Sequence, residues 1–135
     1  MNVLLSLHPK WAKKIYNCEK TVEWRKSQPK FSKYEEEKID KVFIYETAPV
    51  CRVTGYFLLE GFRTLNIKHA KKFDYAQSLL DRGCVSYAEL VKYQGDSDEL
   101  VAWLIEREVR FDVPRALEDF GLKRPPQSWR YIETH

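Results

Sequence analysis

The first hydrophobic positions of the chain form a short continuous run and then a helical pattern. Residues 3–7 are mostly apolar, which is typical of a strand. Pro9 suits the first turn of a helix, because proline lacks the amide hydrogen that would be unpaired there. Trp11 and Ile15 fall on one face of that helix, which we predict over residues 9–17. The pattern therefore predicts a strand followed by a helix that packs on the sheet.

Alternating apolar and polar positions predict strands in the first half of the chain. Residues 20–26 form one such segment, and residues 41–47 form another that is rich in β-branched and aromatic side chains. A turn leads into a third strand over residues 50–60, so that the last two strands form a hairpin. Tyr45 and Thr47 share one face of it, but a bulge would reverse the faces, and the pattern leaves open which face lines a cleft.

The second half begins with helical patterns. Apolar residues at helical spacing, Phe73 among them, predict a helix over residues 67–82 that ends at Gly83. Residues 86–89 have the form of a capping box and predict a short helix to about residue 93. Before these helices, we predict an acidic turn at residues 35–37.

The last third of the chain favours strands. Residues 100–105 fit either a helix or a buried strand. Residues 109–113 alternate as a strand does, and Pro114 restricts that strand to a sheet edge or an end. A final strand over residues 129–133 would close the sheet.

Residues 18–25 concentrate charged side chains where a turn meets a strand. Because side chains alternate along a strand, Thr21, Glu23 and Arg25 should project from the face opposite two apolar residues. Residues two apart lie about 7 Å apart, so Glu23 and Arg25 can pair or share a ligand, with Lys20 reaching in from the turn. An exposed strand face with ordinary surface charges fits the pattern equally well.

The spacing of Lys20, Glu23 and Arg25 matches the G-x-K-x-x-E-x-R signature of the ASCH domain family, which resembles the PUA domains. Cys18 stands where the family has glycine. That glycine would permit a left-handed turn after the helix, and here we expect Asn17 to adopt this conformation instead.

Two further segments resemble the same family. Residues 125–131 resemble its final loop and strand, and residues 42–56 resemble its central hairpin. The resemblance implies that residues 100–105 form a strand, since ASCH-like chains place one after a glycine loop, here at Gly95. It also implies a single α+β, PUA-like domain over residues 1–135, with a small mixed, mostly antiparallel β pseudo-barrel and flanking helices.

Composition and charge narrow the classes of function. The chain has 135 residues, of which 44% are hydrophobic, and no apolar run approaches the about 20 residues of a membrane span. We therefore expect a cytoplasmic protein without a membrane partner. The three cysteines lack the spacing of a zinc site or a disulfide framework, so we expect neither a metal nor another cofactor.

The positive charge is concentrated near the charged motif. The net charge is +3, yet residues 1–33 contain eight Lys or Arg against two Glu. Lys10, Lys13 and Lys14 lie close to the motif in sequence and would favour a phosphate-bearing ligand. A solvated helix face gives the same pattern.

The resemblance implies that the partner is RNA, a nucleotide or a nucleoside, in RNA metabolism or transcription-linked regulation. ASCH members are inferred to bind RNA in a cleft that contains these charges. Lys20 and Thr21 would line it, Arg25 would bind phosphate or a base carbonyl, and Glu23 would accept hydrogen bonds from a base amine. The other predicted ligand-binding side chains could stack on or hydrogen-bond to a base: Tyr45, Thr47, Ser128, Trp129 and Tyr131.

Two other functions stay open. A small bacterial branch of the family resembles an N-acetylcytidine amidohydrolase that uses a lysine, a threonine and a glutamate. The lysine carries over to Lys20, the threonine position falls on Glu23, and the downstream glutamate is not placed. In such an enzyme, or in an RNA-cleaving one, Glu23 would act as general base beside Lys20 or Arg25. In a non-catalytic protein-interaction module, Glu23 and Arg25 would only tie the turn to the sheet.

Overall fold

A computed structural model of the chain describes residues 1–30, 39–72 and 74–133. The strands within these ranges are β1 (Asn2–Leu7), β2 (Val22–Arg25), β3 (Lys41–Glu46), β4 (Arg52–Leu65), β5 (Leu100–Arg115) and β6 (Trp129–Ile132). The α-helices are α1 (Pro9–Tyr16), α2 (Asp74–Arg82) and α3 (Tyr87–Gln94), and 3-10 helices occupy Ile67–Lys72 and Leu117–Phe120.

The described strands form one sheet in the order β2-β5-β4-β3-β1-β6. β1 pairs with β3 in parallel, and the other described strand pairs are antiparallel. This confirms the predicted mixed, mostly antiparallel sheet with flanking helices. No helix in the described ranges has the length and apolar character that a membrane crossing requires.

The first six residues of β5 are buried on both faces, which explains why their sequence has no clean alternation. Even-numbered residues from Leu100 to Leu104 pack with α2 and α3 on one face. Odd-numbered residues from Val101 to Ile105 pack with β1 and α1 on the other. A strand between two helical layers reads as a continuous apolar run, and the predicted strand at residues 100–105 is confirmed.

Several predicted boundaries change in the structure. The strands predicted at residues 100–105 and 109–113 are parts of β5, which stays paired with β4 across three register shifts. Such bulges let long strands curve without losing their partner. The helix predicted over residues 67–82 is a 3-10 helix followed by α2. Its Phe73 and the acidic turn predicted at residues 35–37 lie outside the described residues.

The ends of α2 and α3 show how local signals behaved. Ser86 caps α3, its hydroxyl oxygen accepting a hydrogen bond from the amide of Glu89 at 3.2 Å, as predicted. After α2 the left-handed backbone falls on Cys84, with φ of 58°, and not on Gly83. A Cβ at Gly83 would lie 2.5 Å from the indole nitrogen of Trp24, so close packing requires glycine there.

The turn after α1 corrects the expectation for Asn17. Asn17 has φ of −85°, whereas Cys18 itself is left-handed, with φ of 62°. The reason is the closing hydrogen bond from the Cys18 amide to the Ile15 carbonyl at 3.0 Å, which bends the chain at residue 18. The position where the family has glycine therefore needs the backbone freedom of glycine.

Replacing Cys18 with glycine is expected to raise the free energy of unfolding by about 0.5–1 kcal/mol, because glycine removes the steric cost of the left-handed backbone. Urea denaturation with an unchanged m-value would measure the gain. Asn17→Gly is the matched control and is expected to lose stability, since Asn17 is not left-handed. A Cys18→Gly protein less stable than the parent would contradict this account.

Candidate functional site

A groove of about 310 Å³ lies where β2, the start of α1 and α3 meet. Its polar and aromatic lining includes His8, Trp11, Glu23, Arg25, Glu89 and Tyr93. A wider depression of about 1210 Å³ lies along residues 118–122 and 130–133. The buried charges of the sequence motif do not line that depression, so the smaller groove is the candidate site.

Glu23 is the most unusual group in the groove. Its side chain is only 9% exposed, and its Oε1 lies 3.9 Å from both Lys20 Nζ and Arg25 Nε. Its Oε2 is buried and has no hydrogen-bond partner among the described residues. Burying a polar atom without a partner costs about 1–3 kcal/mol. One oxygen of the carboxylate therefore lies near two cations, and the other is a buried acceptor that no described residue satisfies.

Lys20 lies beneath the groove and does not reach its rim. Its side chain is fully buried, and its ammonium donates a hydrogen bond of 2.5 Å to the carbonyl of Gly83. The ammonium also lies 5.2 Å from the ring centre of Trp11. Burial lowers the pKa of Lys20, and the Glu23 carboxylate opposes that shift. Lys20 therefore lies behind two groove-lining residues, Glu23 and Trp11.

Hydrogen bonds of Arg25 connect strands from the two opposite ends of the sheet. Its Nη2 donates to the Ser6 carbonyl at 2.8 Å, and its Nη1 donates to the Ser128 hydroxyl at 3.2 Å. Ser6 belongs to β1 and Ser128 precedes β6, whereas Arg25 ends β2, the opposite edge strand of the sheet. These bonds bring the predicted site residue Ser128 next to the charged group and fix the direction of the guanidinium.

Three other predicted site residues lie away from the groove lining. The Thr21 hydroxyl accepts a hydrogen bond from Arg82 Nε at 3.0 Å. Tyr45 is 7% exposed and belongs to a separate hydrophobic cluster beside the second 3-10 helix. The Thr47 amide donates to the Leu7 carbonyl at 2.9 Å. Thr21 therefore adjoins the charged residues in sequence, but its hydroxyl binds Arg82 outside the groove lining. Tyr45 lies in a different part of the core.

Trp129 and Tyr131 both hold the segment that follows β2. Trp129 Nε1 donates to the Ser27 hydroxyl at 2.9 Å. The Tyr131 hydroxyl donates to the Lys30 carbonyl at 2.9 Å and accepts from the Lys30 amide at 2.8 Å. Neither aromatic ring lines the groove beside Glu23.

Trp11 and Tyr93 are groove residues that the sequence pattern did not single out. Trp11 is half-buried, packs against the core with one part of its ring and lines the groove with another. Tyr93, near the end of α3, is 40% exposed. Burial raises the pKa of Tyr93, while the nearby Arg25 guanidinium lowers it.

The ammonium of an exposed lysine lies over each of these two rings. Lys10 Nζ lies 4.7 Å from the centre of the Trp11 ring, and Lys26 Nζ lies 5.1 Å from the centre of the Tyr93 ring. The groove therefore combines two aromatic surfaces, two exposed cations and one buried acceptor. The helical spacing of Trp11 predicts packing against the core. A tryptophan side chain is large enough to pack against the core and line a groove at the same time.

Comparisons with known proteins agree with this fold. A family model described as the ASCH domain matches residues 5–115. The crystal structure of ASCH from Zymomonas mobilis is 23% identical, covers 98% of this chain and 87% of that chain, and has a TM-score of 0.78. Crystal structures of two mutant forms of that protein have TM-scores of 0.76 and 0.77, at 22% and 23% identity. They cover 98% of this chain and 88% and 90% of their own chains.

A curated protein named ATP synthase subunit alpha, from Ureaplasma parvum, is 22% identical over 131 residues. The match takes in 97% of this chain but spans 15% of the length of that protein. At such identities the solved structures show the fold alone, and they confirm the predicted α+β, PUA-like architecture.

Proposed function

The chain belongs to the ASCH domain family, and on that premise we propose that it binds single-stranded RNA, or a nucleoside, in the groove beside Glu23. The domains of this family generally resemble RNA-binding domains. The observation that carries the proposal is Glu23 in the groove lining, whose buried Oε2 has no hydrogen-bond partner among the described residues. A carboxylate with a purely structural role would have both oxygens satisfied, whereas this one leaves an acceptor for the N–H groups of a ligand.

The aromatic lining of the groove supports a base as that ligand. Trp11 and Tyr93 both line the groove, and base–aromatic stacking contributes about 1–3 kcal/mol per base. A buried acceptor is accessible to a base only when that base is unpaired and free to leave its own stack, which favours single-stranded RNA over a duplex. Lys10 and Lys26 are exposed beside the two rings, where phosphates of the same strand would be neutralised.

Tyr93→Ala is expected to weaken binding of a fluorescein-labelled RNA hexamer of mixed sequence by about 5- to 100-fold, because it removes one stacking surface. Fluorescence anisotropy at one fixed salt concentration would measure the change. Tyr131→Ala is the matched control, since Tyr131 is 37% exposed and Tyr93 is 40% exposed.

The two variants separate two binding surfaces. Weaker binding in Tyr131→Ala alone would move the site to the side of Trp129 and Tyr131, which the sequence pattern suggested. Unchanged binding in both variants, with melting temperatures equal to the parent, would remove the proposal.

A hydrolytic function is the second candidate, and Oε2 of Glu23 favours it, because no described residue donates a hydrogen bond to that oxygen. A carboxylate oxygen without a protein donor can hold a water molecule and accept its proton, as a general base does. Release of acetate from N4-acetylcytidine, or shortening of the RNA hexamer, would support this candidate if Glu23→Gln abolished it. A ligand recovered intact after long incubation would exclude it.

A further inference from the structure

We infer that the groove selects a base with an exocyclic amino group, so that cytosine binds in preference to uracil. This inference rests on the proposed function and adds the chemical class of base to it. The selecting group is the carboxylate of Glu23, which lines the groove and whose buried Oε2 has no hydrogen-bond partner among the described residues.

The surroundings of Glu23 make its free oxygen an acceptor and nothing else. An ionised carboxylate has no hydrogen to donate. Both neighbouring cations, Lys20 and Arg25, approach Oε1 at 3.9 Å, so Oε1 faces positive charge, whereas Oε2 has no donor among the described residues. A ligand atom that meets Oε2 must therefore be a donor, because an acceptor there would face a buried negative charge without a proton between them.

The RNA bases differ at this point in a simple way. Cytosine, adenine and guanine each carry an amino group, and uracil carries carbonyl oxygens instead. Cytosine and uracil have almost the same size and shape and differ at position 4, where one has NH₂ and the other has oxygen. A site that requires a donor at that position rejects the base that presents an acceptor, because both polar groups would then be buried unpaired.

Arg25 supplies the complementary donor. A guanidinium has five N–H donors, and the hydrogen bonds of Arg25 to Ser6 and Ser128 use one hydrogen on each of its two terminal nitrogens. The second hydrogens remain, and Arg25 lines the groove next to Glu23. A ligand that binds both groups would accept a hydrogen bond from Arg25 and donate one to Glu23. A ring nitrogen next to an amino group has this order, as in N3 and N4 of cytosine and in N1 and N6 of adenine.

The test compares three ligands on the unaltered protein. The labelled RNA hexamer is displaced with cytidine 5′-monophosphate, with uridine 5′-monophosphate and with the monophosphate of pyrimidin-2-one riboside, which has hydrogen in place of the amino group. We expect the cytidine compound to bind about tenfold or more tightly than the uridine compound. The pyrimidin-2-one compound should fall between them, because it loses the donor without adding an acceptor.

Two variants assign the selectivity to Glu23. In Glu23→Gln the side chain carries both a donor and an acceptor, so the ratio of cytidine to uridine binding should fall to about one. Glu106→Gln is the matched control, because Glu106 is exposed and is not among the groove-lining residues, and its variant should keep the parental ratio. The ligand series on the unaltered protein decides the question even if Glu23→Gln does not fold.

The outcomes separate the inference from the proposed function. Equal displacement by the cytidine and uridine compounds, with the labelled RNA bound, overturns the inference and leaves RNA binding in place. A parental ratio in Glu23→Gln overturns the assignment to Glu23. A labelled RNA that does not bind at all overturns both.

Discussion

Replacing Lys20 with methionine is expected to lower the free energy of unfolding by about 3 kcal/mol, because it breaks a buried charge arrangement by removing one member. Methionine keeps most of the side-chain volume, so the loss reports the charge. Without the ammonium, the Gly83 carbonyl loses its 2.5 Å donor, and of the two cations near Glu23 in the described part of the chain only Arg25 remains. Urea denaturation of the two proteins would measure the difference.

Two variants control for other causes of that loss. Lys13→Met makes the same change at an exposed position of α1, and its effect should stay within about 0.5 kcal/mol. Combining Lys20→Met with Glu23→Gln should recover part of the loss, because the double change leaves no uncompensated carboxylate. If Lys20→Met were as stable as Lys13→Met, the buried ammonium would have no structural role.

The same variant gives a pH dependence with a defined sign. Burial lowers the pKa of Lys20 in the folded protein below its ordinary 10.5. At pH values between the pKa of Lys20 in the folded protein and 10.5, Lys20 is protonated more often in the unfolded chain than in the folded protein. The free energy of unfolding therefore rises with pH in this range. The parent should therefore gain stability relative to Lys20→Met as the pH rises through that window toward 10.5. Tyr16, whose pKa burial raises, acts in the opposite sense above 10, but both proteins contain it.

Gly55→Ala is expected to lower the free energy of unfolding by about 3 kcal/mol, at the upper end of what overpacking costs. A Cβ at this position would collide with the Val109 carbonyl oxygen and lie 2.6 Å from the hydroxyl of Tyr16. Neither neighbour moves easily, because Val109 belongs to the β4–β5 ladder and the Tyr16 hydroxyl is 2.8 Å from the Thr54 hydroxyl. Thermal or urea denaturation would measure the loss.

Gly61→Ala is the matched control for that variant. Gly61 lies in the same strand, and nothing lies within 4 Å of a Cβ built on it, so its effect should stay within about 0.5 kcal/mol. Equal stability of the two variants would contradict the close approach at Gly55.

Patterns that depend on a few neighbouring residues were readable from the sequence. Alternation placed the hairpin of β3 and β4, and Ser86 marked the start of α3, because strand faces and helix caps are fixed by local geometry. The spacing of Glu23 and Arg25 indicated that their charges approach each other, and the two side chains lie 3.9 Å apart. The sequence also marked residue 18 as a turn that suits glycine, although it assigned the left-handed backbone to the wrong neighbour.

The groove itself was decided by tertiary structure. Lys20 can be buried because the carbonyl of Gly83, 63 residues away in sequence, accepts a hydrogen bond from its ammonium. Tyr93 reaches the groove because α3 packs against the face of β5 that Leu100, Ala102 and Leu104 form. β2, which contains Glu23 and Arg25, pairs with that same strand. Alternation along one strand says which side a residue faces, and it holds no information about what other elements bring to that side. The sequence by itself therefore determined the family, the sheet and the charged motif, and long-range packing determined which of those charges are buried and which aromatic rings surround them.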